Sequence, residues 1–182
     1  MDDAEEVAHD FGGRSNPVEA ERVAEIVERL IPDNSEIAVI SPYSKQVQLI
    51  RAELHNRRIK GVKVGTVDSF QGQETDIVVF SAVRSNSLNE IGFLRDPRRL
   101  CVALTRARRG LILLGDPRVL QTSRHWEALL DSCRKRGCLV NSPANTEKEL
   151  QDSVVETRRT LVSLDELQGA LDGTSNVLGL FG

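Results

Sequence analysis

The sequence predicts an α/β fold in which a parallel sheet is covered by helices on both faces. Short apolar runs alternate along the chain with longer segments whose apolar residues recur every three or four positions. The runs are apolar at consecutive positions, which is typical of strands that are buried on both faces. Strands that alternate with helices favour a parallel sheet with right-handed crossovers.

The first predicted helix begins after Asn16. Asparagine is a favoured N-cap, Pro17 suits the first helical position, and Glu19 lies where a capping box places a glutamate. Apolar residues then recur at helical spacing at Ala20, Val23, Ala24, Val27, Leu30 and Ile31. The segment from Pro32 to Ser35 is expected to end this helix.

The remaining elements continue the alternation. Strands are predicted at Ile37–Ile40, Val62–Val67, Ile77–Val83 and Leu111–Leu114. Buried helical faces are predicted at Val47, Ile50 and Leu54, at Leu100, Ala103, Leu104 and Ala107, and at Trp126, Leu129 and Leu130. The second of these helices starts at Pro97, and Gly110 is expected to end it in a left-handed cap. Residues 84–94 are predicted to be a polar, flexible connection.

Charge divides the chain into three parts. Residues 1–10 carry five acids and no Lys or Arg, residues 145–182 have a net charge of −4, and residues 11–144 a net charge of +6. We therefore predict a flexible acidic N-terminal tail over 1–14, one domain over 15–140, and a polar linker with a short C-terminal helix over 141–182. A basic centre favours a polyanionic ligand, although a solvated helix face would give the same charge.

Several classes of protein are not supported. Cys101, Cys133 and Cys138 form no metal-ligand pattern, which favours a reducing, intracellular location in cytoplasm or nucleus. No apolar run approaches ~18 residues, and no signal-peptide pattern opens the chain. We therefore expect a soluble protein that has no membrane partner. With only five Phe, one Trp and one Tyr, the chain is not expected to bind single strands through many stacked aromatics.

Two strings carry a family resemblance. SFQGQE at 69–74 and VALTRARRG at 102–110 resemble motifs V and VI of superfamily 1 helicases. The similar branch includes the nonsense-mediated-decay helicase and the immunoglobulin mu-binding-protein helicase, and the likeness runs from Ser15 to about Val140. The resemblance implies a RecA-like domain of the P-loop NTPase type, and specifically the second of the two such domains between which these helicases bind ATP.

The resemblance also implies a nucleotide contact. Arg106 matches the motif VI arginine that reaches the γ-phosphate, and Glu74 matches the motif V glutamate near the ribose, with Gly72 allowing a close backbone approach. The alternatives are a surface arginine at a helix end for Arg106, and a local loop cap for Glu74. The roles of Gln71 and Gln73 stay open. Arg108 and Arg109 either line the nucleotide cleft or face solvent.

A nucleic-acid contact is implied by the same motifs. Thr66 and Ser69 would touch the phosphate backbone of a single strand, which positions the strand without reading its sequence. Local turn chemistry around Asp68 explains the same residues equally well. Tyr43 would stack on a base or, as a lone aromatic, pack under a loop. The sequence leaves RNA and DNA undecided.

The chain lacks parts that phosphoryl transfer requires. No GxxxxGKS or GxxxxGKT string is present, and the motif IV tyrosine–arginine pair of the family would lie upstream of this sequence. We therefore expect ATP with Mg²⁺ as cofactor, the metal being held by a first RecA-like domain in cis or in trans. The chain would be part of an ATP-dependent 5′ to 3′ helicase and inactive alone. The alternative is a non-catalytic nucleic-acid-binding or regulatory module derived from a truncated helicase.

Overall fold

The computed structural model describes residues 6–33 and 35–139, and a four-stranded parallel sheet forms its centre. A short antiparallel hairpin of β1 (Val7–Ala8) and β2 (Arg14–Ser15) comes first. The central strands are β3 (Ile37–Ser41), β4 (Lys63–Thr66), β5 (Thr75–Ser81) and β6 (Ala107–Leu114), in the spatial order β4-β3-β5-β6. All three pairings between them are parallel, which confirms the predicted sheet and agrees with a RecA-like domain.

Helices cover both faces of this sheet. They are α1 (Pro17–Leu30), α2 (Ser44–Asn56), α3 (Pro97–Leu104), α4 (Pro117–Leu120) and α5 (Arg124–Lys135). Successive side chains of a strand point to opposite faces. Val39 and Val79 therefore pack with α1 and α2, whereas Ile40 and Phe80 pack on the other face with Trp126 of α5.

The predicted start of α1 is confirmed. The Asn16 side chain accepts a hydrogen bond of 3.1 Å from the backbone N–H of Glu19, and Pro17 occupies the first turn. Five of the six residues of the predicted apolar stripe are buried, and Ile31, which is exposed, begins a 3-10 turn that ends at Asp33. One capping residue and one helical stripe thus fix both the start and the orientation of this helix.

The structure corrects the prediction for residues 97–110. The helix that begins at Pro97 ends at Leu104, and Gly110 lies inside β6 opposite Ile77, so its prediction as a helix cap is wrong. The backbone N–H of Thr75 donates a hydrogen bond of 2.9 Å to the carbonyl of Arg106. Because of this pairing, β6 begins at Ala107, where the local sequence pattern predicted a helix. Tertiary contacts here override local helix propensity.

The described part of the N-terminal segment contacts the rest of the domain. Residues 7–8 pair with residues 14–15, and the backbone N–H of Glu6 donates a hydrogen bond of 2.9 Å to the carbonyl of Ser85. Arg84 and Ser85, at the start of the predicted flexible connection, are buried. The polar linker and the helix predicted within 141–182 lie outside the described residues.

Candidate functional site

The candidate site residues divide between the two ends of the parallel sheet. The QGQE loop (Gln71–Glu74) leads into the amino end of β5, and Arg106 directly precedes β6. Thr66 ends β4, and Tyr43 follows the carboxyl end of β3. Because the four strands are parallel, the nucleotide candidates lie at the edge where β5 and β6 begin, here called the amino edge. Thr66 and Tyr43 lie at the opposite, carboxyl edge.

Arg106 is fixed in the turn between α3 and β6. Its Nε donates to the Val102 carbonyl at 3.2 Å, its Nη2 to the Thr105 hydroxyl at 3.3 Å, and its Nη1 to the Gln73 carbonyl at 3.4 Å. The first contact is made with the last turn of α3, as expected of a cation at a helix end. The third joins the guanidinium to the QGQE loop across 33 positions of sequence. The fold therefore brings together the residues of the two motifs.

The QGQE loop is exposed and has a defined backbone. Gly72 has a φ of 76°, and nothing lies within 4 Å of the place where a Cβ would stand. Glycine is needed here for its left-handed conformation, which other residues adopt at a cost. The Gln73 side chain anchors the loop by donating to the Ser69 carbonyl at 3.1 Å. Glu74, the next residue, is exposed beside this anchor.

Arg108 and Arg109 are held on the surface of the amino edge. Arg108 Nη2 lies 3.0 Å from Asp76 Oδ1 and 3.1 Å from Glu36 Oε2, and Arg109 Nη1 donates to the Ser35 hydroxyl at 3.1 Å. A hydrogen bond from the Glu36 backbone N–H lowers the pKa of Asp76, and the Arg108 guanidinium lowers it further. The partners of Arg108 are carboxylates, which offset its charge, whereas those of Arg106 are carbonyl and hydroxyl oxygens, which do not.

Thr66 and Ser69 lie close together at and beyond the end of β4. The Ser69 hydroxyl donates to the Thr66 carbonyl at 2.7 Å inside the 3-10 turn Val67–Phe70. Gly65 lies against this turn, since a Cβ added there would collide with Ser69 Oγ and stand 3.0 Å from the Phe70 ring. The local hydrogen bond is the turn chemistry that the sequence offered as an alternative, and the phosphate contact of both residues stays a prediction.

Tyr43 is buried beneath the connection that follows β5. Only 3% of Tyr43 is exposed, and its ring meets Phe93 edge to face with centroids 5.8 Å apart. Phe93 is 54% exposed and forms the outer member of the pair. Sequence reasoning missed Phe93, because nothing in the local pattern distinguishes it from a core phenylalanine. The base contact of Tyr43 stays a prediction.

A buried polar network lies behind the carboxyl edge. The Glu19 carboxylate accepts hydrogen bonds from the Ser81 hydroxyl at 2.6 Å and from the Val83 backbone N–H at 2.9 Å. Burial raises the pKa of Glu19 to about 7. Gln46 donates to the Ser81 hydroxyl at 3.0 Å and thereby ties α2 into the same network. Sequence reasoning treated Glu19 only as a cap and missed this role.

Val83 has a φ of 71°, a strained conformation for a β-branched residue. Such a conformation persists only where surrounding contacts hold it. The hydrogen bond from Val83 to Glu19 supplies one of these, and the bond from the Asn16 side chain to the Val83 carbonyl, at 3.3 Å, supplies another. The network therefore fixes the first residues of the connection that carries Phe93.

Comparison with known proteins identifies the family. The family model described as AAA domain matches residues 1–118. The chain belongs to this AAA domain family. Within it, the chain lies in the nonsense-mediated-decay branch of superfamily 1 helicases, as the two motifs predicted. It is thus a helicase domain.

Relatives from distant organisms share this domain. A regulator of nonsense transcripts 1 homolog from Arabidopsis thaliana is 40% identical over 154 residues, which is 80% of this chain and 12% of the relative. The Drosophila melanogaster homolog is 40% identical over 80% of this chain and 13% of the relative. The ATP-dependent helicase NAM7 of Saccharomyces cerevisiae is 41% identical over 75% of this chain and 15% of the relative. The chain thus spans only a small part of the length of these relatives.

Two further features bear on the kind of site that this AAA domain provides. Across residues 6–33 and 35–139, no group of three or more His, Cys, Asp or Glu side chains is arranged to hold a metal ion. None of the helices in the same ranges is both long and apolar enough to span a membrane. The candidate site residues described above provide arginine, carboxylate, hydroxyl and backbone groups.

Proposed function

We propose that this chain is the second RecA-like domain of an ATP-dependent nucleic-acid helicase. In this proposal it supplies Arg106 as an arginine finger at the amino edge and part of a single-strand groove at the carboxyl edge. A first RecA-like domain holds the triphosphate and Mg²⁺, because this chain has no GxxxxGKS or GxxxxGKT string. The names of two relatives, both ATP-dependent helicases, support the use of ATP.

The contact between Arg106 and the QGQE loop carries the proposal. The Arg106 guanidinium donates to the Gln73 carbonyl at 3.4 Å, which places a fixed cation beside the exposed Gly72 and Glu74. A carboxylate accepts hydrogen bonds from ribose hydroxyls, and a guanidinium binds phosphate oxygens. The chemistry of these residues therefore fits a nucleotide. ATP, when bound, would supply the phosphoryl group whose charge Arg106 stabilises.

Arg106 is suited to act on developing charge because its position is fixed in advance. Three hydrogen bonds hold the guanidinium, to Val102, Thr105 and Gln73. A cation that is already oriented needs no reorganisation when charge develops on the transferred group. An arginine supplied in this way accelerates phosphoryl transfer by ~10³–10⁵. Its neighbour Arg108 is engaged instead by Asp76 and Glu36 on the surface.

The carboxyl edge supplies the proposed contact with single-stranded nucleic acid. Thr66 and Ser69 offer hydroxyl and backbone groups where β4 ends, and groups of this kind contact phosphates. The segment from Val67 to Glu74 connects this edge directly to the residues that are proposed to bind nucleotide at the amino edge. One short stretch of chain therefore carries both proposed contacts, which is a suitable arrangement for a domain that moves along a strand as nucleotide is consumed.

A chimera tests this function. The segment of the yeast ATP-dependent helicase that matches this chain is replaced by this chain, and ATP hydrolysis is measured with and without single-stranded nucleic acid. The chain alone is expected to hydrolyse no ATP above background, whereas the chimera is expected to show strand-stimulated turnover. A chimera that folds and binds strand but does not hydrolyse ATP would favour the alternative, a non-catalytic binding or regulatory module.

A further inference from the structure

An open cleft of about 290 Å³ lies outside the residues that the helicase motifs identify. Its lining combines glycine, arginine and aromatic residues: Gly12, Arg14, Tyr43, Arg84, Gly92 and Phe93. Tyr43 follows the carboxyl end of β3, and Arg84 follows that of β5. The cleft therefore opens at the carboxyl edge, the same edge as Thr66. Its volume is at the small end of ligand pockets, which suits one planar group rather than a large ligand.

The aromatic wall of the cleft presents one exposed ring on a rigid support. Phe93 is 54% exposed, whereas Tyr43 behind it is 3% exposed and meets it edge to face at 5.8 Å. Such edge-to-face pairs are favourable and hold the two rings in a defined orientation. Phe93 thus provides the kind of surface on which a nucleobase stacks, and every nucleobase has a π-face that can stack on it.

The lining also contains the guanidinium groups of Arg14 and Arg84, both of which pair with Glu6. Arg84 Nε lies 2.8 Å from Glu6 Oε2, and Arg14 Nε lies 3.1 Å from Glu6 Oε1. The Arg84 side chain is 6% exposed and that of Arg14 is 27% exposed, so Arg14 is the more accessible of the two. A guanidinium plane is one of the surfaces on which unstacked bases pack. Glu6 offsets part of the positive charge, which favours a base over a bare phosphate.

Tyr43 Oη is buried and has no hydrogen-bond partner within the part of the chain that the structure describes. Gly92, with a φ of 57°, permits the close approach of Arg84 and Tyr43, since a Cβ there would collide with the Arg84 guanidinium and stand 3.1 Å from Tyr43 Oη. The Tyr43 hydroxyl is thus part of the buried support beneath the cleft.

We propose that this cleft receives one unstacked base of a single strand, with Phe93 as the stacking residue and Tyr43 as its support. The proposal rests on the proposed function and deepens it, because it adds a base contact to a groove otherwise formed by phosphate contacts. Stacking does not distinguish bases by hydrogen bonding, so the site binds a strand of any sequence. The chain has few aromatic residues, and the proposal assigns a stacking role to one of them.

Binding of two oligomers by the full chain tests the proposal. One is oligothymidine and the other is an abasic oligomer with the same number of phosphates. Phe93→Ala is expected to weaken oligothymidine binding by about 5- to 150-fold, because loss of a stacking aromatic costs ~1–3 kcal/mol and ~1.4 kcal/mol is tenfold. Its affinity for the abasic oligomer and the salt dependence of binding are expected to be unchanged, because the phosphate contacts remain.

Two further variants keep the result interpretable. Leu88→Ala removes another exposed apolar side chain of the same connection, 76% exposed and outside the cleft lining, and is expected to bind both oligomers like the parent. Phe93→Trp keeps an aromatic face, so it is expected to retain oligothymidine affinity and to change its fluorescence with oligothymidine but not with the abasic oligomer.

The outcomes separate this proposal from the helicase assignment. Parent-like binding of oligothymidine by Phe93→Ala would overturn the base contact and leave the helicase function intact. Equal loss for both oligomers would also overturn it, because Phe93 would then act on phosphate binding or on folding. If the parent chain bound neither oligomer at low salt, the proposed nucleic-acid groove itself would fail, and the base contact with it.

Discussion

The Ser81 hydroxyl donates a hydrogen bond of 2.6 Å to the buried carboxylate of Glu19, which also accepts one of 2.9 Å from the Val83 backbone N–H. Glu19 lies in the first turn of α1, whereas Ser81 ends β5. This relationship joins the first helix of the domain to the connection that carries Phe93. The carboxylate is therefore both a part of the fold and a support for the carboxyl edge.

The titration of Glu19 predicts how stability depends on pH. Burial raises the pKa of Glu19 from 4.5 to about 7 in the folded protein, so the folded state binds the proton more tightly than the unfolded state. Where the folded state holds more protons, the free energy of unfolding falls as pH rises. Titration of Glu19 is thus expected to lower the free energy of unfolding by up to ~3 kcal/mol between about pH 4.5 and 7, with no further change above that window.

Glu19→Gln isolates this contribution. Glutamine retains an oxygen that can accept from Ser81 and Val83 but does not titrate. Urea unfolding of both proteins across pH 5–8 is expected to show the free energy of unfolding of the parent falling relative to that of Glu19→Gln as pH rises. Parallel profiles over this range would show that Glu19 keeps an ordinary pKa in the folded protein.

Gly65 and Ser69 provide a test of close packing at the end of β4. Gly65→Ala places a methyl group against Ser69 Oγ and the Phe70 ring, and such overpacking typically costs ~1–3 kcal/mol. Ser69→Ala loses the hydrogen bond to the Thr66 carbonyl and is expected to cost ~0.5–1.5 kcal/mol.

The double variant decides whether the two residues are in contact as described. Removal of Ser69 Oγ relieves the closest collision, so the double variant is expected to be more stable than the sum of the single effects indicates. Free energies of unfolding from denaturant titrations of the four proteins give this coupling. Simple additivity would mean that the chain avoids the collision by moving backbone rather than the Ser69 side chain.

The sequence predicted the fold where local chemistry and periodicity agreed. At Asn16, the N-cap, Pro17 and the apolar stripe all indicated one helix, and the structure has it. At Arg106 the local pattern indicated a longer helix, whereas pairing of Arg106 with Thr75 starts a strand. That pairing depends on residues 31 positions apart, so a local pattern cannot reveal it.

The candidate site shows the same division. Motif strings led to Arg106, Gly72 and Glu74, and the structure brings their segments into contact at one edge of the sheet. Phe93 and the buried role of Glu19 could not be predicted, because exposure of a phenylalanine and burial of a glutamate are decided by the packing of distant segments. For Tyr43 the sequence left two alternatives open, stacking on a base or packing under a loop. In the structure Tyr43 lies beneath the connection that holds Phe93.

Glu74 is expected to act on nucleotide binding rather than on the chemical step. In the chimera with the yeast helicase, Glu74→Ala should raise KM for ATP and lower kcat only modestly, since a ribose contact is equally strong in the ground state and the transition state. Glu74→Gln, which retains one accepting oxygen, should lie between the parent and Glu74→Ala. Steady-state kinetics over a range of ATP concentrations measures both constants. A fall in kcat with unchanged KM would assign Glu74 to the chemical step instead.

Arg106→Ala in the same chimera tests the central claim most directly, with Arg108→Ala as the matched control. Arg106 lies against the QGQE loop, whereas Arg108 pairs with Asp76 and Glu36 on the surface. We predict that Arg106→Ala lowers kcat by ~10³ or more and leaves ATP affinity nearly intact, because a finger acts on charge that develops in the transition state. Arg108→Ala should turn over ATP nearly like the parent. Parent-like kcat in Arg106→Ala would contradict the account and leave Arg106 as a helix-end charge.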